Sequence, residues 1–302
     1  MHIPGVTFML YDVIIVGGSY AGLSAGLQLA RARRQVLVID AGQRRNRFAA
    51  TSHGFLGQDG QAPEAIASQG RGQLMAYPTV TWVQDRVIQA SGESQGFAIG
   101  TECNGTFHAK RLILATGVVD ELPAIEGLES RWGKHVFHCP YCHGYELDEG
   151  HIGVLATSAL AMHHALMLPD WGTTTLFTNG VFIPDAEQQA HLDRRGVSVE
   201  CSAVRRICGE RADLELDDGR LFSLDGIFTM SRTRISPLAA QLGCELADGP
   251  TGPYLHTNDM RQTSQPGVFA CGDASLAAGS VALAVAEGVR AGVGAHFSLI
   301  NG

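Results

Sequence analysis

Residues 11–40 read YDVIIVGGSYAGLSAGLQLARARRQVLVID, and this stretch decides the fold. The apolar run Val13–Val16 predicts a buried strand, because strands covered on both faces are continuously hydrophobic. The small-residue segment from Ala21 to Arg33 predicts a helix, and Val36–Ile39 predicts a second strand. Strand, helix and strand within about thirty residues form a βαβ unit, which is typical of a parallel sheet that binds a dinucleotide.

The turn after the first strand carries a relaxed form of the G-x-G-x-x-G fingerprint, with Gly17, Ser19 and Gly22 at its three positions. The first glycine makes the tight turn, the serine is small enough to let the backbone approach a pyrophosphate, and the last glycine lets the helix pack on the strand. Asp40 stands at the end of the second strand, where an acid holds a ribose hydroxyl. We therefore predict a dinucleotide site, the alternative being a helix that only packs closely on the sheet.

Two further segments are predicted to contribute strand ends to this site. RLILATGV, residues 111–118, reads as a strand that stops at Ala-Thr-Gly. QPGVFACGDAS, residues 265–275, reads as a short strand that ends at Gly272-Asp273, before a helix from Val281 to His296. Such a strand end can aim a carboxylate and helix N–H groups at a ligand, and the alternative is that Asp273 only caps a helix.

A second α/β unit is predicted between these segments. HIGVLATS (151–158) and TTTLFT (173–178) read as strands, and ALAMHHALML (159–168) has a helical period. The predicted fold class is therefore α/β, with two Rossmann-like, three-layer nucleotide-binding domains, the second inserted in the first. The first domain comprises residues 1–118 and 232–302, and the second comprises residues 119–231.

Composition excludes several classes of protein. The chain has 302 residues, with 22 basic against 30 acidic residues and a net charge of −8, which gives no support for a nucleic-acid partner. No apolar run reaches the length of a membrane span. The opening MHIPGVTFML lacks the features of a signal peptide and reads as a short extension, so a cytoplasmic location is expected. The seven cysteines do not resemble a secreted disulfide framework.

The segment HCPYCHGYE, residues 138–146, contains the only closely spaced cysteines, Cys139 and Cys142. This spacing at the start of a helical turn is typical of dithiol–disulfide chemistry in a cytosolic α/β protein. The same letters match a c-type haem attachment site, and a zinc site or two buried structural thiols are further alternatives. Zinc needs two more ligands, and Cys201 and Cys208 follow no matching spacing, so no metal is predicted.

Together these motifs resemble the thioredoxin reductase branch of the FAD-dependent pyridine nucleotide–disulfide oxidoreductases, over nearly the whole chain. The resemblance rests on GGSYAG (17–22), Asp40, ATG (115–117), CPYC (139–142) and GVFACGD (267–273). It implies a homodimer, and FAD in the first domain. The residues that it places around FAD are Gly17, Gly18, Ser19, Ala21, Gly22, Asp40, Ala41, Arg45, Asn46, Val87, Ala115, Thr116, Gly117, Gly272, Asp273, Val281 and Ala282.

The second domain departs from this family at its nucleotide turn. The family binds NADPH through a G-x-G-x-x-A turn, whereas here Ala156, Ser158 and Ala161 occupy the matching positions. The family also carries a basic cluster after the next strand to hold the 2′-phosphate, where this chain reads Thr178-Asn179-Gly180. No Lys or Arg occurs between Lys134 and Arg194. The NADPH site is therefore predicted to be degenerate, the alternative being that backbone contacts suffice.

The redox motif departs as well, because His143 follows the second cysteine where the reductases usually have Asp. CPYCHGYE is similar to the dithiol oxidases of the gliotoxin, holomycin and romidepsin pathways. This similarity implies a small-molecule dithiol and O2 as substrates, with exchange at Cys139, electron transfer to FAD from Cys142 and proton transfer by His143. A histidine with a pKa of about 6.5 suits proton transfer near neutrality. Alternatives are an NADPH-dependent reductase with thioredoxin as partner, a related flavoenzyme with another electron donor, or a non-enzymatic redox sensor.

The remaining expectations concern single residues. His163 and His164 are interpreted as partly exposed structural histidines, and Cys271 as a core residue. The basic run 44–47 is either a solvated face or a contact to the adenosine phosphate end of the cofactor.

Overall fold

The computed structural model describes residues 10–93 and 96–301, so the short extension expected at the start of the chain lies outside the described residues. Contacts within the chain divide it into two compact units. The first comprises the chain up to Arg45, Glu64–Val119 and the chain from Thr233, and the second comprises Asn46–Pro63 and Asp120–Arg232. From the sequence, the domain changes are predicted after residues 118 and 231, and the two units change after Val119 and Arg232; residues 46–63, which the sequence assigns to the first domain, belong by their contacts to the second unit.

The first unit begins with the βαβ unit that the sequence predicts. Its elements are β1 (Leu10–Val16), α1 (Tyr20–Arg31), β2 (Val36–Asp40), α2 (Pro63–Met75), β3 (Val80–Gln84), β4 (Val87–Glu93), β5 (Gly96–Thr101), β6 (Thr106–Leu114) and β7 (Val118–Glu121). The chain passes into the second unit within β7. The strand that was predicted to stop at Ala-Thr-Gly ends at Leu114, which confirms the prediction, and Ala115, Thr116 and Gly117 form the loop after it.

The second unit carries the cysteine motif and the second Rossmann-like sheet. Its elements are β8 (Val136–Phe137), α3 (Pro140–His143), β9 (Glu149–Leu155), α4 (Ala161–Met167), β10 (Gly172–Phe177), α5 (Ala186–Arg194), β11 (Ser198–Glu200), β12 (Val204–Cys208), β13 (Asp213–Leu216), β14 (Leu221–Phe222) and β15 (Gly226–Thr229). The helix α4 is shorter than predicted and continues into a 3-10 turn over Leu168–Asp170, where Pro169 cannot donate a backbone hydrogen bond.

The chain then returns to the first unit. The elements are β16 (Arg232–Ile235), α6 (Leu238–Gln241), β17 (Leu246–Asp248), β18 (Pro253–Leu255), β19 (Val268–Ala270) and α7 (Val281–Asn301). The last helix runs five residues beyond the predicted end at His296.

Both units are built on parallel sheets, which confirms the predicted fold class. In the first unit the order is β3-β2-β1-β6, with β19 parallel to the end of β6 and the antiparallel strands β5 and β4 extending from its beginning. In the second unit the order is β11-β10-β9-β15-β8, and all four pairings are parallel. Because parallel strands share one carboxyl edge, the loops after them converge at that edge, where ligands bind in such folds.

Small residues let α1 and α7 pack in close contact. A Cβ at Gly288 would overlap the carbonyl oxygen of Ala21, and one at Gly292 would lie 2.6 Å from that of Ala25. This packing holds the beginning of α1 against the sheet, whose central residues Ile14, Ile15 and Leu37 are fully buried. Among residues 10–93 and 96–301, we find no helix that combines the length and the apolar character needed to cross a membrane.

Candidate active site

The glycine-rich turn has the conformation that the fingerprint predicts. Gly17 has φ +103°, a left-handed conformation that favours glycine, and a Cβ there would overlap the carbonyl oxygen of Ala115. A Cβ at Gly22 would overlap the carbonyl oxygen of Gly17. The two glycines therefore bring the ends of β1 and β6 and the start of α1 together, which accounts for both positions in the motif.

Asp40 lies at this turn and contacts its backbone. Its Oδ1 accepts a hydrogen bond from the backbone N–H of Gly18, at 3.0 Å. A Cβ at Gly18 would overlap the ring of Trp82, so the backbone runs directly beneath that indole. Ser19, the N-cap of α1, makes no capping hydrogen bond through its side chain to any described residue. Its side chain therefore does not cover the donors at the start of the twelve-residue helix, where anions bind favourably.

The Gly272-Asp273 segment adjoins the same turn. Gly272 has φ +69°, and a Cβ there would lie 2.9 Å from the Cβ of Ala21. Asp273 lies in a 3-10 turn, eight residues before the first residue of α7, so it does not cap that helix. Its Oδ2 instead accepts a hydrogen bond from Arg45 at 2.8 Å, and neither side chain is more than about a fifth exposed. Arg45 thus contributes an ion pair at the site rather than a solvated face.

The other residues that the sequence assigns to the cofactor lie on or beside three different elements of the first unit. Ala41 is exposed just after β2, Val87 begins β4 and packs against the core, and Val281 and Ala282 form the first turn of α7. Asn46 is also assigned to the cofactor from the sequence, and by its contacts it belongs to the second unit.

Cys139 and Cys142 form a disulfide bond at the start of α3. Their Cα atoms are 5.3 Å apart, and both residues are partly exposed. Trp171 packs on the turn after them, since a Cβ at Gly144 would lie 2.8 Å from its ring. Tyr141 meets the edge of the same indole, at 5.4 Å between ring centroids, and is itself 74% exposed. The arrangement favours dithiol chemistry over two separate structural thiols.

His143 lies in an apolar environment behind this disulfide. Its imidazole stacks on the buried ring of Phe137, with 4.4 Å between centroids. Burial lowers the pKa of His143 to about 4, and the nearby His53 lowers it further. The sequence-based expectation of a pKa of about 6.5 is therefore wrong, and at neutral pH the ring is an uncharged proton acceptor rather than an acid.

The second nucleotide turn carries the side chains of Ala156 and Ser158 at positions where an NADPH site is expected to have glycine. Ala156, which follows β9, is fully buried. After β10, the buried Thr178 donates its backbone N–H to Glu200, and the side chain of Asn179 accepts from the backbone of Val204 at 2.7 Å. The backbone N–H of Thr178 and the side-chain oxygen of Asn179 therefore already have partners inside the protein, whereas the buried hydroxyl of Thr178 has none among the described residues.

A cation from elsewhere in the second unit does reach this edge. Arg220 forms ion pairs with Glu200, at the end of β11, and with Asp218. It also donates to the hydroxyl of Ser202 at 2.9 Å. Because two carboxylates flank this guanidinium, it is poorly suited to replace the basic cluster that holds a 2′-phosphate.

Comparison with known proteins shows the family. The model of the pyridine nucleotide-disulphide oxidoreductases matches residues 11–288. The chain belongs to this family. Similar proteins include thioredoxin reductase tcpT of Claviceps purpurea, 31% identical, with 97% of this chain and 96% of the relative covered. Thioredoxin reductase sirT of Leptosphaeria maculans is 29% identical, with 97% and 95% covered.

Solved structures share the fold of this chain over nearly its whole length. An oxidoreductase from Agrobacterium tumefaciens superposes with a TM-score of 0.95 at 56% identity, covering 97% of this chain and 99% of its own. HlmI superposes with a TM-score of 0.88 at 34% identity, covering 97% and 93%. As a pyridine nucleotide-disulphide oxidoreductase of the thioredoxin reductase type, the protein is an enzyme and a flavoprotein that binds FAD.

Two residues at the candidate site could not be predicted from the sequence. Trp82, which covers Gly18, lies in β3, and its indole Nε1 is buried without a hydrogen-bond partner among the described residues. His53 lies near His143, although it is ninety positions earlier in the chain. Neither residue belongs to a recognisable motif, so only the three-dimensional arrangement reveals them.

His164 corrects a further expectation. It is 4% exposed rather than partly exposed, and burial lowers its pKa to about 4. Its ring meets the edge of Phe228, and its Nδ1 has no hydrogen-bond partner among the described residues. His163 on the same helix is exposed, as expected, and the fully buried Cys271 confirms its assignment to the core.

We predict that His164 makes the fold sensitive to acid. Its pKa of about 4 lies below the 6.5 of an unfolded histidine, so the unfolded state binds more protons between these values. The contribution of His164 to the free energy of unfolding is therefore fully present above pH 6.5 and is lost as the pH drops toward 4. From pH 7.5 to 5, this one group should remove about 2 kcal/mol of the free energy of unfolding. In urea unfolding, the free energy of unfolding of His164→Gln should fall less between about pH 7.5 and 5 than that of the wild type. The exposed control His163→Gln should follow the wild type. Equal losses of unfolding free energy in all three proteins would contradict the prediction.

Proposed function

We propose that this flavoenzyme is a dithiol oxidase, which forms a disulfide in a small-molecule dithiol and transfers the electrons to O2. The observation that carries the proposal is the combination of a disulfide in CPYCH with a second nucleotide turn that has Ala156 and Ser158 in place of glycines, near an arginine, Arg220, that is paired with Glu200 and Asp218. An enzyme that takes its electrons from a dithiol substrate does not need a bound NADPH. The overall reaction is balanced, because dithiol and O2 give disulfide and H2O2.

The first unit has the features that would hold FAD. Gly17, Ser19 and the N-terminus of α1 would contact the pyrophosphate, since the turn is shaped by glycines and the helix directs N–H groups toward it. Asp40 retains Oδ2 for a ribose hydroxyl, and the Arg45–Asp273 pair would contact the chain between the two halves of the cofactor. When bound, FAD supplies a two-electron acceptor for the cysteine pair.

The cysteines would exchange with the substrate in two steps. A substrate thiolate attacks Cys139 Sγ, the Cys139–Cys142 bond breaks, and Cys142 leaves as a thiolate with the electron pair. The second substrate thiolate then attacks the first substrate sulfur, which releases Cys139 and completes the substrate disulfide. Two electrons have moved from the substrate to the cysteine pair, and two protons have left the substrate thiols.

His143 would accept one of these protons. Its ring is uncharged at neutral pH because burial lowers its pKa to about 4, so one ring nitrogen has a free lone pair; the imidazolium that forms would be stabilised by the substrate thiolate formed beside it. The thiolate is the attacking form in exchange, so this transfer activates the substrate.

A thioredoxin reductase is the second candidate, because the relatives tcpT and sirT are named as such. In that case thioredoxin would be the partner and NADPH the electron source. Either function is compatible with the homodimer and the cytoplasmic location that the sequence implies. The same redox disulfide serves both, and they differ in the direction of electron flow.

The deciding experiment follows the flavin spectrum during one cycle. Dithiothreitol, added without oxygen, should bleach the flavin of the purified protein, and air should restore the colour with one H2O2 per dithiol oxidised. Catalase removes H2O2, so its addition is the control that the product measured is peroxide. A flavin that dithiothreitol bleaches but air does not restore, together with rapid bleaching by NADPH, would exclude the oxidase and favour the reductase.

A further inference from the structure

An exposed aromatic ring lies between the two cysteines of the redox disulfide. Tyr141 is 74% exposed, and Cys139 and Cys142 on either side of it are partly exposed. One edge of the ring is supported, because it meets the indole of Trp171 at 89°, with 5.4 Å between ring centroids. Trp171 in turn packs on the turn after the cysteines, where a Cβ at Gly144 would lie 2.8 Å from its ring. Tyr141 therefore presents a supported aromatic surface beside the two sulfurs, and contact with such a ring costs little conformational entropy.

The chain on both sides of the disulfide is acidic. No Lys or Arg occurs between Lys134 and Arg194, and Lys134 precedes β8, whereas the cysteines follow that strand. In contrast, three exposed acids come shortly after the cysteines, namely Glu146, Asp148 and Glu149. The segment that carries the disulfide thus has negative side chains and no basic ones.

A fourth carboxylate reaches this segment through a histidine. His53 Nε2 lies 3.3 Å from Glu146, and His53 Nδ1 lies 3.6 Å from Asp59, whose side chain is 68% exposed. A positive charge on His53 would offset one of the four carboxylates and leave the other three. Arg195, which reaches the residue before Trp171, donates to Asp170 at 2.6 Å, so its charge is already paired. The potential around the disulfide is therefore negative, and a negative potential repels anionic molecules that approach it.

We infer that the disulfide accepts dithiols without a negative charge, and that Tyr141 favours those that carry an aromatic ring beside the thiols. The inference rests on the proposed function, in which a substrate dithiol exchanges with Cys139, and it names the class of that substrate. A carboxylate on the substrate would be repelled by the surrounding acids, whereas a ring would pack on the exposed face of Tyr141 in an offset or edge contact. Tyr141 would touch the substrate away from the reacting sulfurs, so it is a specificity-determining residue.

The first test compares two dithiols that differ in charge. Dihydrolipoamide and dihydrolipoic acid have the same dithiol and the same carbon chain, and end in an amide and a carboxylate, respectively. In anaerobic stopped-flow reduction of the flavin at low salt, the second-order rate constant should be about tenfold higher for dihydrolipoamide. This size is expected because one like-charge pair about 7 Å apart in water costs a factor of roughly three, and several acids contribute. At about 1 M NaCl the two rate constants should converge, because salt screens charges over such distances.

A single neutralised acid should change this difference. Asp148→Asn should narrow it by about threefold, since one like-charge pair is removed. Asp148 has φ +52°, a conformation that asparagine adopts readily, so the backbone is preserved. Glu102→Gln neutralises an exposed acid of the first unit, before β6, and is the matched control that should keep the full difference. Equal rate constants for the two dithiols in the wild type, or a difference that salt does not reduce, would overturn the inference.

The second test concerns the ring of Tyr141. Dithiothreitol and 1,2-benzenedimethanethiol both close to a six-membered cyclic disulfide, and only the second carries an aromatic ring. The ratio of their rate constants, aromatic over dithiothreitol, should fall about fivefold in Tyr141→Ala, within the range that a contact between two aromatic rings contributes. Tyr141→Phe, which keeps the ring, should retain the wild-type ratio.

The ratio separates a contact with the substrate from a structural defect, because a defect slows both dithiols alike. An unchanged ratio in Tyr141→Ala would therefore overturn the role of Tyr141. If Tyr141→Ala loses its FAD, Tyr141→Gln, which keeps a long side chain without a ring, decides by the same ratio.

Both tests also separate this inference from the proposed function. They measure only the reduction of the flavin by dithiols, which precedes any reaction with O2. A wild type that O2 does not reoxidise would remove the oxidase proposal and leave the comparisons between dithiols valid. A wild-type flavin that none of the four dithiols reduces would overturn both.

Discussion

Replacing Cys142 by serine should abolish reduction of the flavin by dithiols. In the proposed mechanism this cysteine leaves the disulfide as the thiolate that donates electrons to FAD, and a hydroxyl cannot do so. Loss of an essential nucleophile typically costs at least about a thousandfold in rate. Cys139→Ser should lose turnover as well, because no disulfide is left for the substrate to attack. Anaerobic stopped-flow absorbance at the flavin band, with dithiothreitol as reductant, measures both.

The two cysteine variants should differ in the resting spectrum. Cys139→Ser leaves Cys142 as a free thiol, whose thiolate can perturb the flavin band, whereas Cys142→Ser cannot show this change. Cys201→Ser is the matched control, because Cys201 is a free, exposed cysteine of the same unit. Dithiol turnover at the wild-type rate in both Cys139→Ser and Cys142→Ser would show that CPYC is not the redox centre.

NADPH should reduce the flavin poorly or not at all. The side chains of Ala156 and Ser158 would crowd a pyrophosphate at this turn. Thr178-Asn179-Gly180 offers no cation for the 2′-phosphate, and Arg220 is paired with Glu200. Charge-assisted hydrogen bonds to such phosphates contribute roughly 1.5–3 kcal/mol each. The loss of two would weaken binding by about 3–6 kcal/mol, or on the order of a hundred- to ten-thousand-fold.

NADH provides the control for this prediction. If only the 2′-phosphate contacts were missing, NADH would still bleach the flavin in an anaerobic titration while NADPH would not. We expect neither to do so, because crowding at the pyrophosphate affects both nucleotides equally. Rapid, stoichiometric bleaching by NADPH together with reduction of thioredoxin would contradict the prediction and identify the protein as a reductase.

Local sequence was sufficient to predict the elements of the first βαβ unit. The strand Val36–Asp40 and the turns at Gly17 and Gly22 follow from short-range patterns, because an apolar run or a required positive φ is a property of a few adjacent residues. The same holds for the Cys139–Cys142 pair, whose spacing brings two sulfurs together within one helical turn. The departure of the second nucleotide turn from the family pattern was also readable from the sequence, since glycines and basic residues are missing from that part of the chain itself.

The sequence by itself therefore determined the family, the fold class and the pairing of Cys139 with Cys142. Tertiary structure alone decided the charge of the histidines, because a pKa depends on what surrounds a ring rather than on its neighbours in the chain. The ring of Phe137 gives His143 an apolar neighbour, and burial lowers the pKa of His164. Tertiary structure also decided that His53 lies near His143, since residues 46–63 join the second unit through contacts between positions far apart in the sequence.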